Sequence, residues 1–156
     1  MGKNLYVQPL QAEDLSVFHK QLLSERKRGN YFLMNLLKTK EDFYDWFRNI
    51  WKDGIEEDDI SEWLIFWYNG KRLGSSHYSG HISGVETMIF IAPYWKNKGF
   101  GKIFLFLSEQ FIRAKYPELD YSWAEIDYDN KPSIKIFEAN GYEFSKGSFD
   151  YIKYYD

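Results

Sequence analysis

From Val85 to Ala92 the chain is apolar at nearly every position, and from Ile103 onward the spacing changes. Ile103, Leu107, Phe111 and Ala114 then fall on one helical face, which Phe104 and Ile112 widen. The pattern predicts a strand, a turn over Lys96–Gly101, and a helix from about Gly101 to Tyr116, stopped by Pro117. Upstream, Leu5–Leu10 alternates loosely and reads as a first strand. Leu15, Phe18 and Leu22 give the stripe of a first helix behind the acidic Ala12-Glu-Asp14 start. Tyr31–Leu37 is a possible helical turn, and Glu41–Lys52 is a second helix with Phe43, Trp46, Phe47 and Ile50 on one face. Glu62–Tyr68 and Lys71–Ser83 read as strands joined by Asn69-Gly70, a hairpin turn signal. Gly74, Gly80 and Gly84 suggest a bulge or bend in the second.

Beyond the long helix, Tyr121–Asp127 reads as a strand. Following a crossover helix, it is expected to run parallel to Val85–Ala92. Asn130-Lys-Pro-Ser133 opens another helix, carrying Ile134, Ile136 and Phe137 and closed by Gly141. Glu143–Tyr155 supplies one or two final strands turning near Gly147-Ser148. With no repeat or linker, residues 1–156 read as one α/β (α+β) domain. Its sheet is mixed and mostly antiparallel, of about six to seven strands flanked by about four helices.

Composition narrows the chemistry. Net charge is −3, which favours neither nucleic acid nor an anionic membrane as partner. There is no cysteine, so disulfides, thiolate metal sites and a cysteine nucleophile are excluded. His77 and His81 share a strand face, but with only His19 besides they do not make a metal set, and no metal is expected. They read either as acceptor-pocket residues or as polar strand positions. A leader or spanning segment is not expected, and cytoplasmic is the expected location.

Against this acidic background the Lys96–Lys102 turn stands out. Gly99 and Gly101 let backbone approach a ligand, Lys96, Lys98 and Lys102 bring positive charge, and the helix N-terminus offers unpartnered N–H groups. The turn suits a phosphate or pyrophosphate. The Gly-x-x-x-x-Gly-Lys-Ser/Thr pattern of a nucleotide hydrolase is absent.

Two segments together carry a family resemblance. Lys96-Asn97-Lys98-Gly99-Phe100-Gly101 resembles the Gln/Arg-x-x-Gly-x-Gly/Ala pyrophosphate loop of the GNAT superfamily of N-acetyltransferases. Asn130-x-x-Ser133-x-x-x-Phe137-Glu138-x-x-Gly141-Tyr142 resembles that family's Asn-x-x-Ala/Ser-x-x-x-Tyr-Glu-Lys-x-Gly-Phe segment. The resemblance implies that acetyl-CoA is the donor and that the parallel strands splay to admit its pantetheine arm. Lys96–Lys102 would hold the pyrophosphate, Phe90, Ile91 and Ala92 would line the arm, and Asn130, Ser133 and Phe137 would adjoin it. An amine on a small, cationic molecule or on a protein would be the acceptor, attacking directly in a ternary complex.

The family often uses a glutamate on the strand before the loop as base. Glu86 stands there, on the alternating face of Met88 and Phe90, though it reads equally as a surface glutamate. Glu125 and Asp127 are the next candidates. Many relatives carry a tyrosine acid where this chain has Phe137, which cannot donate a proton. Tyr142, Tyr128 and Tyr151 are the candidate replacements, and an unprotonated thiolate is the alternative. The same departure keeps open a non-catalytic CoA-binding or regulatory module. Residues 22–60, with Phe32, Phe43, Trp46, Trp51 and the Glu56–Asp59 run, are the expected acceptor region. Tyr151, Tyr154 and Tyr155 either mark a homodimer edge or complete the sheet.

Overall fold

The computed structural model describes residues 4–16, 18–20, 23, 39–46, 48 and 57–156. The chain divides into two compact units, residues 10–57 and residues 1–9 with 58–156.

In the first unit, a 3-10 turn at Ala12–Asp14 runs into helical residues 15–16 and 18–20, and α1 spans Lys40–Trp46. Thr39 caps α1 by accepting the Asp42 amide at 3.0 Å, and Glu41 and Asp42 suit its positive end. Phe43 is fully buried, edge-on to Phe18 with centroids 5.5 Å apart, and His19 stacks on it at 5.2 Å. The expectations for Tyr31–Leu37, for Phe32 and Trp51, and for the C-terminal half of Glu41–Lys52 lie largely outside the described residues.

The second unit is a seven-stranded mixed sheet in the order β1-β2-β3-β4-β5-β7-β6. The strands are β1 Leu5–Pro9, β2 Asp59–Tyr68, β3 Lys71–His81, β4 Gly84–Ile91, β5 Tyr121–Ala124, β6 Glu143–Ser145 and β7 Asp150–Tyr154. Two helices accompany them, α2 Phe100–Lys115 and α3 Lys131–Ala139. The hairpin expected at Asn69-Gly70 is present, with φ of 48° and 78°, the left-handed pair a two-residue primed turn requires. β2 begins at Asp59, inside what the sequence presented as an acidic loop, because Ile60 is buried and pairs with Gly80. The bulge signalled by β3's glycines is a register shift at Phe66/Trp67, where Leu73 becomes the extra residue opposite β2.

One sheet face packs on the helices. Ile60, Leu64, Tyr78 and Val85 cluster with Ile112, and Phe66, Leu73 and Ile91 with Phe104. Ala124 clusters with Leu105, Phe137 and Tyr142. Side chains one position out of phase look to the other face: Glu86, Met88 and Phe90 on β4, opposite Ser79, His77 and Ser75 on β3. Among the described residues, no helix is long and apolar enough to cross a membrane.

Candidate active site

The parallel pair is short. β4 and β5 match at Gly84↔Tyr121, Val85↔Ser122 and Glu86↔Trp123, and there the pairing stops. β4 continues to Ile91, whereas β5 ends at Ala124, three residues before the strand expected to reach Asp127. Residues 125–127 leave the sheet because neither neighbour continues: β7 pairs with β5 only as far as Ala124↔Tyr151. The two parallel strands therefore fork beyond Glu86.

The edge of β4 inside this fork can be read from its other partner. The Ala92 amide donates to the Leu73 carbonyl at 2.6 Å, so with the β3–β4 register the even-numbered backbone groups face β3. The amides and carbonyls of Thr87, Ile89 and Ile91 then face the fork. Of the expected Phe90–Ile91–Ala92 lining, Ile91 presents its main chain to the fork, while Phe90 and Ala92 turn theirs to β3.

At the C-terminal end of β4 a 3-10 turn, Pro93–Trp95, leads into the basic loop. Asn97 and Gly99 are left-handed, at φ 61° and 84°, and Gly99 is the N-cap of α2 without any side-chain cap. The first-turn amides of α2 thus keep their capacity for an outside acceptor. A Cβ on Gly99 would meet nothing within 4 Å, so the demand there is conformational. Gly101 meets a different demand. It is buried in the helix, and a Cβ on it would lie 2.4 Å from Cδ1 of Ile136, so its glycine permits α2 to approach α3. Lys96, Lys98 and Lys102 are exposed around the loop, with the Lys98 ammonium 3.9 Å from the centre of the Tyr94 ring. Phe100 packs edge-on to Trp95 at 5.6 Å and anchors the loop on the helix-side core.

Glu86 closes the fork at its paired end. Desolvation, then the charges of Glu125 and Asp150, hold its carboxyl above the ordinary carboxylate range. The register explains the company. Trp123 stands opposite Glu86 and Ile152 opposite Trp123, so Asp150, two residues along β7, lies on the same sheet face, while Glu125 follows directly on the end of β5. Asp127 and Tyr128 are exposed outside the sheet.

The α3 motif has mainly local work. The Asn130 side chain caps α3, accepting the Ser133 amide at 3.3 Å. Left-handed Gly141, at φ 90°, lets the Gly141 and Tyr142 amides return to the Glu138 and Phe137 carbonyls at 3.0 and 3.1 Å. That turn swings Tyr142 against Phe137, edge-on at 4.9 Å, both buried. The Tyr142 hydroxyl lies 3.5 Å from Thr87 Oγ1, the first β4 residue past the paired end of the fork. Burial, then Tyr78, Glu109 and Tyr155, push this phenol well above its usual range, and the Thr87 bond opposes the shift only in part. It is a phenol that keeps its proton. His77 is buried and stacked on Trp63 at 3.9 Å, and burial lowers its pKa to about 3; His81 is exposed beside Ser83.

Sequence reasoning passed over Thr87, Ser122 and Asp150. Ser108 and Glu109, buried polar positions of α2, do mark polar partners on the strands beneath it, but these are Ser76 at 3.0 Å and Lys153 at 2.7 Å rather than the three residues passed over.

A search of curated protein sequences returns no significant match. Solved structures do resemble the chain. Ribosomal-protein-alanine N-acetyltransferase from Brucella melitensis superposes with TM-score 0.73 at 17% identity, covering 96% of this chain and 99% of that one. Mutant forms of spermidine/spermine N-acetyltransferase SpeG from Vibrio cholerae give TM-score 0.69 at 14% identity, over 97% and 92% of the two chains. Aminoglycoside acetyltransferase AAC(6')-Ib in complex with coenzyme A gives TM-score 0.69 at 11% identity, over 97% and 95%. At these identities the likeness speaks for the fold. The model of the acetyltransferase (GNAT) domain matches residues 4–143, and the chain belongs to the GNAT acetyltransferase family.

Proposed function

We propose that this chain is an acetyl-CoA-dependent N-acetyltransferase acting on a primary amine of a cationic small molecule. The observation that carries the reading is the fork itself: a parallel pair that parts beyond Glu86, with an uncapped helix N-terminus at one end and a carboxyl of raised pKa at the other.

The residues fit the cosubstrate. Left-handed Asn97 and Gly99 with the first turn of α2 would take the pyrophosphate, where backbone amides and lysines favour an anion. The β4 edge at Ile89 and Ile91 would pair with the pantetheine amides as an added strand does. Acetyl-CoA supplies a thioester carbonyl for the amine to attack and a thiolate leaving group. Glu86 takes the proton that the ammonium must lose, a task for which a carboxyl above its ordinary range is suited. A β4 amide facing the fork donates to the oxyanion. The Tyr142 hydroxyl donates toward the sulfur, in place of the phenol that Phe137 lacks. Glu86, with the charges of Glu125 and Asp150 acting on it, favours a cationic acceptor over a neutral one. Two structural neighbours are named for aminoglycosides and for spermidine and spermine, which agrees with that preference.

Thiol release from acetyl-CoA, measured over a panel of polyamines, aminoglycosides and amino-terminal peptides, tests this reading. Turnover is expected with a polycationic amine. Saturable CoA binding with no turnover on any amine would replace the enzyme by a CoA-binding module.

A further inference from the structure

Beyond Glu86 the two parallel strands part; before it they are joined, and the joined end carries an aromatic ledge. Tyr121 stands opposite Gly84 and Trp123 opposite Glu86, so both rings share the face of the Glu86 carboxyl. The Tyr121 ring reaches across onto β4 itself. A Cβ on Gly84 would stand 2.4 Å from Tyr121 Cζ, 2.6 Å from Cε1 and 2.8 Å from Cε2, so the ring rests directly on the glycine backbone. Tyr154, opposite Tyr121 on β7, continues the ledge with ring centres 5.6 Å apart and is 72% exposed. Tyr121 and Trp123 are half-buried.

Elsewhere this chain seats its own cations on its rings. Lys98 lies 3.9 Å from the centre of Tyr94, Arg113 4.6 Å from Tyr155 and Arg72 5.5 Å from Trp67. Among the described residues, no lysine or arginine lies over Tyr121, Trp123 or Tyr154. The one basic side chain on β4 to β7, Lys153, turns to the helix face and pairs with Glu109 at 2.7 Å. Carboxyls, by contrast, share the face of the ledge. Besides Glu86 there are Asp150, two residues from Ile152 on β7, and Glu143, the β6 partner of Ile152. Rings in a negative field, with no cation of the chain's own upon them, fit a positively charged group of a ligand.

We infer that this ledge is the subsite for a second ammonium of the acceptor, which makes diamines and longer polyamines, rather than monoamines, the substrate class. This rests on the acetyltransferase reading above. The thioester reaches Glu86 from the fork, so an amine that meets it there leaves the rest of its molecule to run the other way, over the joined end. Gly84 and Glu86 are two residues apart on one strand, about 6.8 Å. That is close to the separation of the nitrogens in an extended four-carbon diamine. One ammonium over the Tyr121 ring thus leaves the other nitrogen at Glu86, with Trp123 beside the methylenes.

Calorimetric titration of the CoA-loaded protein with putrescine, and with butylamine, which lacks the second amino group, tests the ledge. Putrescine should bind about tenfold more tightly. Tyr121→Leu should bring the two amines within about twofold of each other, whereas Tyr121→Phe, which keeps a ring, should retain the preference. Tyr154→Ala, a change at an exposed position, should reduce the preference about threefold and decides the matter if Tyr121→Leu does not fold. Equal binding of the two amines, binding of neither, or a preference for putrescine undiminished in Tyr121→Leu or Tyr154→Ala overturns the ledge. The last result would assign the preference to the general negative field. The acetyltransferase reading fails separately. If putrescine is preferred in binding but no thiol is released from acetyl-CoA with any amine, acetyl transfer falls and the ledge stands. If CoA itself does not bind, that reading falls, and the same titrations of the CoA-free protein decide the ledge.

Discussion

Gly101→Ala separates the two glycines of the loop, which look equivalent in sequence. A Cβ at residue 101 would stand 2.4 Å from Ile136 Cδ1, 3.1 Å from Cγ1 and 3.9 Å from Cγ2. Overpacking of this kind costs about 1–3 kcal/mol, while alanine inside a helix regains about 1 kcal/mol over glycine. The single variant should therefore lose about 1 kcal/mol. Ile136→Val removes Cδ1 alone, and at a half-buried position should cost about 0.5 kcal/mol. With Cδ1 gone, the nearest contact is the γ-carbon at 3.1 Å, which a shift of a few tenths of an ångström relieves, and the helix keeps its propensity gain. The double variant should match or slightly exceed the parent, a coupling of about 2 kcal/mol. Urea unfolding followed by tryptophan fluorescence reads all four proteins. Gly99→Ala is the contrast: its cost of about 1 kcal/mol comes from the left-handed backbone and should be indifferent to Ile136→Val. If Gly101→Ala and Ile136→Val add to within about 0.5 kcal/mol, the packing argument is wrong.

Glu86→Gln should slow acetyl transfer and flatten the acid limb of its pH–rate profile. It should also raise stability at neutral pH. A carboxyl whose folded pKa is raised costs the native state stability as pH climbs from the unfolded value through the folded one. The gain in melting temperature should accordingly shrink toward zero when the pair is compared near pH 4. An equal gain at both pH values would exclude this origin. Asn130→Ala removes the α3 cap and should cost about 1 kcal/mol, about 2–4 °C in Tm. An unchanged Tm would mean that the 3.3 Å bond to Ser133 carries no net stability.

The order of elements was legible because each has a separate cause: alternation in β1, the Asn69-Gly70 turn, the apolar stripe of α2, the Asn130 cap and the Gly141 stop. The fork was legible only through family resemblance. Nothing local in Tyr121–Asp127 says that the strand must stop at Ala124, since that depends on where β4 and β7 cease to pair. The packing demand on Gly101 was hidden for a related reason. A glycine needed for a left-handed turn and one needed for a close helix contact read alike in sequence, and only Ile136, thirty-five residues away, tells them apart. Glu86 was legible as a position, but its raised pKa was not, because Asp150 arrives from a strand at the other end of the chain. Tyr155 could be placed at a dimer edge or within the sheet. Its amide, donating to the Asp120 carbonyl at 2.8 Å, puts it in line with β5.

Three matched residues, 84–86 with 121–123, stitch β1 to β4 onto β5 to β7. Mechanically the sheet is two leaves on a narrow spine, and the spine sits at one end of the longer strand. Such a seam is where a sheet opens first, so amide exchange at Val85 and Trp123 should report sub-global opening more readily than exchange in the long β2–β3 pairing. A molecule laid along the β4 edge would act as a missing seam. Its tightness and the cohesion of the leaves would then be one linked quantity, rising and falling together.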